Sequence, residues 1–489
     1  MTRSIRRRLI LFLDGTWNVD DGSHPPTNVV RLREALKIGL EAIEDTTAVP
    51  GSGGIAHGTV AEQALHTFEY VVHYDRGVGT GALDHLSGGI MGDGLENNIR
   101  EAYRFLSNHF RENDEIHLVG FSRGAYTARS IVGYLFATGL LKPEHCTTER
   151  EAQAWRHYRT SPGDRNCGDW YALKPYLHPT DKVRVTSVAV FDTVGALGIP
   201  ATPFQKLNEL RYAFHNTELS SIVENSFHAV AIDEHRNAFE ATLWHTPKFK
   251  KYPGARVEQV WFPGAHADIG GGYQQWDERE RGRQDIAFAW MLGRLRDVSD
   301  LPLGPLCAGA AAPALDCAAE VQVEAPIHRP WGRLDRFRSQ ACRAINQTRP
   351  RESDGIPVKG RGTKTVGLKP HEEPIGEMIH VSALELLASA AGVAWEGIET
   401  AYPYRSPNLV AVLPLIAFTY QAWDDAAWRA WKPYADALPR MAAEPRTLSV
   451  VDWSGTVMPT RPPSAGASVQ GRTVLDYLGA DPSRFGFKP

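Results

Sequence analysis

Cysteine is scarce in this chain, with five in 489 residues. They stand at Cys146, Cys167, Cys307, Cys317 and Cys342, an odd and scattered set with no CxxC pair. That pattern excludes a disulfide framework and a cysteine-rich zinc site, and fits thiols kept reduced. No sign of charge dominates either. Lys and Arg total 53 against 57 Asp and Glu, a formal net charge of −4. Such a balance gives no global pull towards nucleic acid or an anionic membrane. Long apolar runs are missing too. The nearest, Leu409 to Phe418, is broken by Pro414 and is too short to span a bilayer. The basic start, with Arg6, Arg7 and Arg8 ahead of Leu9–Leu13, leads into Asp14-Gly-Thr-Trp-Asn18 without a small-residue cleavage site. It therefore reads as a buried first strand, not as a signal peptide. The expectation is a protein cytoplasmic as synthesised, whose export would use a signal-independent route.

What the chain does have is alternation. Arg8–Leu13, Phe68–Tyr74, Ile116–Val119, Val183–Phe191 and Val257–Phe262 are apolar strand-like runs, and Ile379–Val381 is a short last candidate. Between them, Asn28–Ala42 and Glu96–Phe110 carry apolar residues at helical spacing. Fully apolar strands separated by helices imply a mostly parallel sheet covered on both faces, in the α/β-hydrolase layout. The expected organisation is a catalytic domain over 1–420, with a helical cap at 203–252 and an insertion at 301–370. A tryptophan-rich extension over 421–489 would pack on it. The insertion carries a basic run, Arg329 to Lys369, that reads either as a solvated surface or as a patch for phospholipid headgroups.

Between the strand Ile116–Val119 and the helix-like Ala125–Leu135 stands Gly120-Phe-Ser-Arg-Gly124. G-x-S-x-G at a strand-to-helix turn is the nucleophile elbow of serine hydrolases. Gly120 and Gly124 remove side chains that would clash in the turn, and Ser122 is left exposed above the sheet. A serine needs a base and an orienting acid. In this layout they follow in the order Ser, acid, His, at the C-terminal ends of later strands. That order favours Ser122, Asp268 and His380. Asp192, ending the strand Val188–Phe191, is the alternative acid, and His266 the alternative base. The oxyanion hole is expected from the backbone of Arg123 with Gly15 or Thr16. Asp14 would then lie nearby, or simply fix the Asp-Gly-Thr bend. The glycines of Gly77-Val-Gly-Thr-Gly81 lack dinucleotide-loop spacing. No spacing of His, Cys or Asp argues for a catalytic metal, and the chemistry needs no cofactor.

Several ordered blocks resemble the DUF2235 family of α/β-hydrolase-like proteins, which includes phospholipase effectors of the type VI secretion system. They are Asp14-Gly-Thr-Trp-Asn18, Gly77–Gly81, Asn98-Ile-Arg-Glu-Ala-Tyr103, Gly120–Arg129, Phe191–Gly198, Asp233-Glu-His-Arg236, Trp261–Tyr273, Ile379–Ser382 and Arg405–Leu409. The resemblance implies an α/β-hydrolase fold and a Ser-Asp-His triad at Ser122, Asp268 and His380. The family's His-Pro-Ser segment has Val381 in place of its proline. The leading expectation is a serine esterase that cleaves glycerophospholipids. Its partners would be a lipid surface met transiently and an immunity or secretion-apparatus protein, with no nucleic acid. An esterase for a small soluble or cell-wall ester and a non-catalytic binding protein are the alternatives.

Overall fold

The computed structural model describes residues 5–15, 25–47, 59–61, 67–77, 88–195, 220–245, 254–272, 282–304, 323, 325–328, 340–350, 352–353, 356–357, 363–366, 373–395, 400–419, 426–437, 448–458 and 473–487. Its centre is a sheet of nine strands. They are β1 (Ile5–Leu13), β2 (Thr59–Ala61), β3 (Thr67–Asp75), β4 (Glu115–Phe121), β5 (Val185–Phe191), β6 (Val223–Ala231), β7 (Arg256–Phe262), β8 (Glu377–His380) and β9 (Ser449–Val451). In space the order is β9-β8-β7-β6-β5-β4-β1-β3-β2. All neighbours pair parallel except β2, which closes one edge antiparallel to β3.

Side-chain alternation along β1 sorts the core into two layers. Leu9, Leu11 and Leu13 pack with α2 (Gly88–His109) and α3 (Arg123–Thr138). Ile10 and Phe12 face the other way, onto α1 (Asn28–Thr47) and a helix at Gln284–Asp297. Strands buried on both faces can be apolar at every position, which is why these runs stood out in the sequence. Each fully buried Leu or Phe contributes roughly 1.5–3 kcal/mol of transfer free energy. A third cluster joins Trp261 and Ile379 to helices Val381–Ala388, Pro407–Thr419 and Ala426–Ala437. Pro414 lies inside one of them, and among the described residues no helix is long and apolar enough to cross a membrane.

Two features differ from the sequence reading. The stretch expected as a helical cap, 203–252, contains β6 in the middle of the sheet. Its remainder at 203–219 and 246–252 lies outside the described residues. Asn225, Ser226 and His228 hide the strand's apolar signal, yet all three sit within the pairing register. The expected tryptophan-rich extension supplies β9, so it extends the sheet beside β8.

The strand order reverses at β1. From there the chain passes to β3 on one side and then to β4 on the other. In open parallel sheets the crevice beyond the carboxyl ends at such a point is where ligands bind. Leu13 pairs with Gly120 and Phe121 with Phe191, so the ends of β1, β4 and β5 come out level there.

Candidate active site

Ser122 follows β4 directly and has φ 57° and ψ −118°. A positive φ on a non-glycine residue costs about 1–3 kcal/mol and persists only where the surroundings enforce it. Here the enforcement is visible. The Ser122 amide donates to Phe191 O (3.1 Å), and its carbonyl accepts from Tyr126 in the first turn of α3 (3.1 Å). A Cβ at Gly124 would stand 2.0 Å from Leu13 O, and one at Gly120 2.7 Å from Ala125 Cα. Only glycine lets the end of β1 and the start of α3 close on the turn.

The base beside Ser122 is His266. Its Nε2 lies 2.9 Å from Ser122 Oγ, and its Nδ1 lies 2.6 Å from Asp192 Oδ2. A carboxylate only accepts, so Nδ1 carries the proton and Nε2 presents a lone pair to the serine hydroxyl. Asp192 directly follows β5, one strand from the elbow, with φ 38°. His266 opens a short helix, His266–Gly270, after β7. Gly271 bridges to Thr27, which draws this loop back across the sheet end towards β1. The imidazole packs against Phe121 (centroids 4.8 Å) and meets the edge of Phe239 (5.1 Å). Its backbone amide faces Glu234, itself gripped by Arg236. Ser122 and His266 each keep 7 % exposure, whereas Asp192 has none.

Asp192 is held by more than the histidine. Arg343 donates Nη1 to Oδ1 (2.6 Å) and Nη2 to Oδ2 (2.9 Å), and Oδ1 also accepts the Ala231 amide (2.9 Å). Burial alone would raise the Asp192 carboxyl, but Arg343 and His266 hold it well below the usual carboxylate range. The next residue, Thr193, donates its amide to His228 Nε2 (3.0 Å), so Nδ1 of that ring bears the proton towards Gln259 Oε1 (3.2 Å). Burial, with the Arg129 cation nearby, pushes His228 down to about 3 and keeps it neutral.

The pair favoured by strand order is elsewhere. His380 ends β8, four strand positions from β4, about 19 Å at the usual inter-strand spacing. It stacks on Phe262 (4.7 Å) and meets Trp453 edge-on (5.0 Å), and its Nδ1 accepts from the Ser382 amide and hydroxyl. Burial lowers it to about 3. A neutral imidazole walled in this way packs and caps the helix behind it. Asp268 is instead bonded to His328 (Oδ1–Nδ1 2.5 Å) and the Ala265 amide (2.9 Å). The two alternatives weighed from sequence, Asp192 and His266, are the ones the fold brings to Ser122.

Of the expected oxyanion donors, Thr16 lies outside the described residues. The Gly15 amide is engaged by Asp14 Oδ1 (2.7 Å). Asp14 also accepts from the hydroxyls of Thr27 (2.8 Å) and Tyr74 (3.0 Å), so it fixes the turn after β1. The Arg123 amide is at the first position of α3, where helix geometry leaves N–H groups unpaired. Burial lowers its guanidinium to about 10.

The basic run after residue 328 is not uniformly a solvated surface. Arg343 is 1 % exposed and Arg349 pairs with Glu240 (2.7 Å), whereas Lys364 is exposed. Arg329, Arg333, Arg336, Arg338, Arg351, Lys359, Arg361 and Lys369 lie outside the described residues. Arg343 escaped the sequence reading because nothing marks one arginine in a basic run as internal.

Comparison with known proteins adds a family. The model for "T6SS, Phospholipase effector Tle1-like, catalytic domain" matches residues 7–294. The uncharacterized protein YEL023C of Saccharomyces cerevisiae is 29% identical over 248 residues, covering 49% of this chain and 33% of its own. Among solved structures, the Tle1 effector bound to the VgrG spike of the type 6 secretion system aligns at 19% identity and TM-score 0.28, over 56% of this chain and 52% of that one. An uncharacterized protein from Pseudomonas aeruginosa aligns at 16% identity and TM-score 0.38, over 90% and 60%. The chain thus spans a third of the yeast relative and less than two thirds of either solved chain.

Proposed function

This chain belongs to the Tle1-like phospholipase effector catalytic-domain family, and from that premise we propose that it is a serine hydrolase cleaving the acyl esters of glycerophospholipids. The observation that carries the chemistry is the relay Ser122 Oγ–His266 Nε2–His266 Nδ1–Asp192 Oδ2, at 2.9 and 2.6 Å, behind a strained elbow. Ser122 attacks the ester carbonyl. His266 takes the hydroxyl proton and returns it to the leaving alcohol, while Asp192 keeps the ring oriented and stabilises its charged form. The Arg123 amide faces the developing oxyanion at the positive end of α3. Water then releases the fatty acid from the acyl-enzyme. The substrate class and delivery by a type VI apparatus rest on the family description.

Fatty-acid release from mixed phospholipid vesicles, wild type against Ser122→Ala, tests the reading. Release by the wild type alone supports it. Phosphate release without fatty acid sinks it. Hydrolysis of short-chain esters with none on vesicles moves the substrate to a soluble ester and keeps the relay.

A further inference from the structure

We propose that Arg343 is a positioning residue of the reaction, a fork that fixes Asp192 ionised and in plane for His266. The inference rests on the Ser122–His266–Asp192 reading. It adds that the machinery is incomplete within the span matching the family model, which ends at residue 294.

The geometry is that of a built device. Arg343 is buried, and its two terminal nitrogens each meet a different oxygen of Asp192. Planar two-point recognition of this kind fixes a carboxylate's orientation as well as its charge. The same guanidinium is itself tied down, to Ala231 O (2.9 Å) and twice to Phe239 O (Nε 3.1 Å and Nη2 2.5 Å). Ala231 ends β6, and the Phe239 ring meets His266 nearly at right angles. One side chain therefore links the acid, the strand beside it and the wall of the base. The chain just before it is stitched in as well, through Ala341 N to His235 O (2.9 Å) and the bridge of Gln340 with Arg236.

An acid buried this deeply would tend to protonate, and a protonated Asp192 cannot accept from His266 Nδ1. Among the described residues, the charged and titratable groups around it are Arg343 from the 340–350 segment, His266 from the loop after β7 and His228 from β6. Glu234, on the loop after β6, faces both Arg343 and His266. His228 is neutral and Glu234 is an acid, so Arg343 is the permanent cation among them.

The test is the pH profile of kcat/KM for full-length Arg343→Gln and Arg343→Lys, with Ser122→Ala alongside. If Ser122→Ala keeps wild-type activity, the parent reading fails whatever Arg343 does. If it is inactive, Arg343→Gln should lower kcat about 100-fold, between the loss of an outer-shell partner and that of the acid itself, with KM little changed. Its acid limb should move up by about 1 pH unit, because the cation opposing protonation of the coupled Asp192–His266 pair is gone. Arg343→Lys keeps the charge but not the fork, so it should lose kcat while its acid limb stays near the wild type. A folded Arg343→Gln with wild-type kcat and acid limb overturns the proposal. So does an equal loss in both variants without a pH shift. Should Arg343→Gln fail to fold, fluorophosphonate labelling of Ser122 in Arg343→Lys decides. Labelling about tenfold slower than wild type supports the fork, and labelling at the wild-type rate overturns it.

Discussion

His266 and Asp268, two residues apart on one short helix, turn to opposite neighbours. The first puts Nε2 2.9 Å from Ser122 Oγ, and the second is bound to His328 at 2.5 Å. Separate consequences are expected for their replacement. His266→Ala should cut kcat by about 10⁴–10⁶, the range seen when a relay member is removed. Asp192→Asn should cost about 10⁴, through loss of the correct tautomer. Asp268→Asn removes no group in reach of the serine and should leave kcat within about tenfold of wild type while lowering the melting temperature. Initial rates on a chromogenic ester, read beside thermal melts, check all three.

His380 carries the complementary expectation. His380→Ala empties a space between Phe262 and Trp453 and should destabilise the fold by about 2–4 kcal/mol. Below the transition, kcat should stay within about twofold. A large loss of kcat in folded protein would return this histidine to the chemistry.

Gly124→Ala tests the elbow without touching a reacting group. Its new methyl would meet Leu13 O at 2.0 Å and Asp14 O at 2.5 Å, both backbone. The turn must open, at a cost of about 1–3 kcal/mol. Labelling of Ser122 by a fluorophosphonate should slow by at least about tenfold.

Stability should fall on acidification from neutral pH. His228 and His380 have folded values of about 3 against the ordinary 6.5, so below 6.5 the unfolded chain binds protons that the native state refuses. Each adds a loss that grows steadily as the pH falls between those values. The depressed Asp192 adds loss at still lower pH. Asp114 opposes this in part. Burial raises it to about 6, so its contribution is lost as pH rises through 6 and regained on acidification towards its unfolded value. Denaturant midpoints at pH 7 and pH 5 should show the net decrease, and His380→Leu should shrink it.

Much of the sheet was legible because its strands are buried on both faces. Leu9–Leu13, Val188–Phe191 and Val260–Phe262 are apolar at nearly every position, and short runs of that kind alternating with helical patterns are what a covered parallel sheet produces. β6 was missed because its polar residues are satisfied internally. The Asn225 side chain donates to Thr186 O, and His228 is shared between Thr193 and Gln259. Hydropathy records those residues as surface. The serine and the end of β5 could be placed from the elbow and the strand. The base could not, because strand order says where loops begin and not how far they reach back. The bridge of Gly271 to Thr27 that returns His266 to the serine joins residues far apart in the chain.

The sheet also sets a schedule for the growing chain. Phe262 ends β7, but the strand that covers its outer edge begins only at Glu377 and is itself flanked by Ser449–Val451. At about 5–20 residues per second of synthesis, the open edge of β7, whose last four residues are buried in the finished fold, waits several seconds for its partner. An uncovered edge of that kind invites pairing with other chains. The nascent protein therefore carries an open sheet edge after β7 has emerged and before β8 has, and a holding chaperone acting in that interval would shield it.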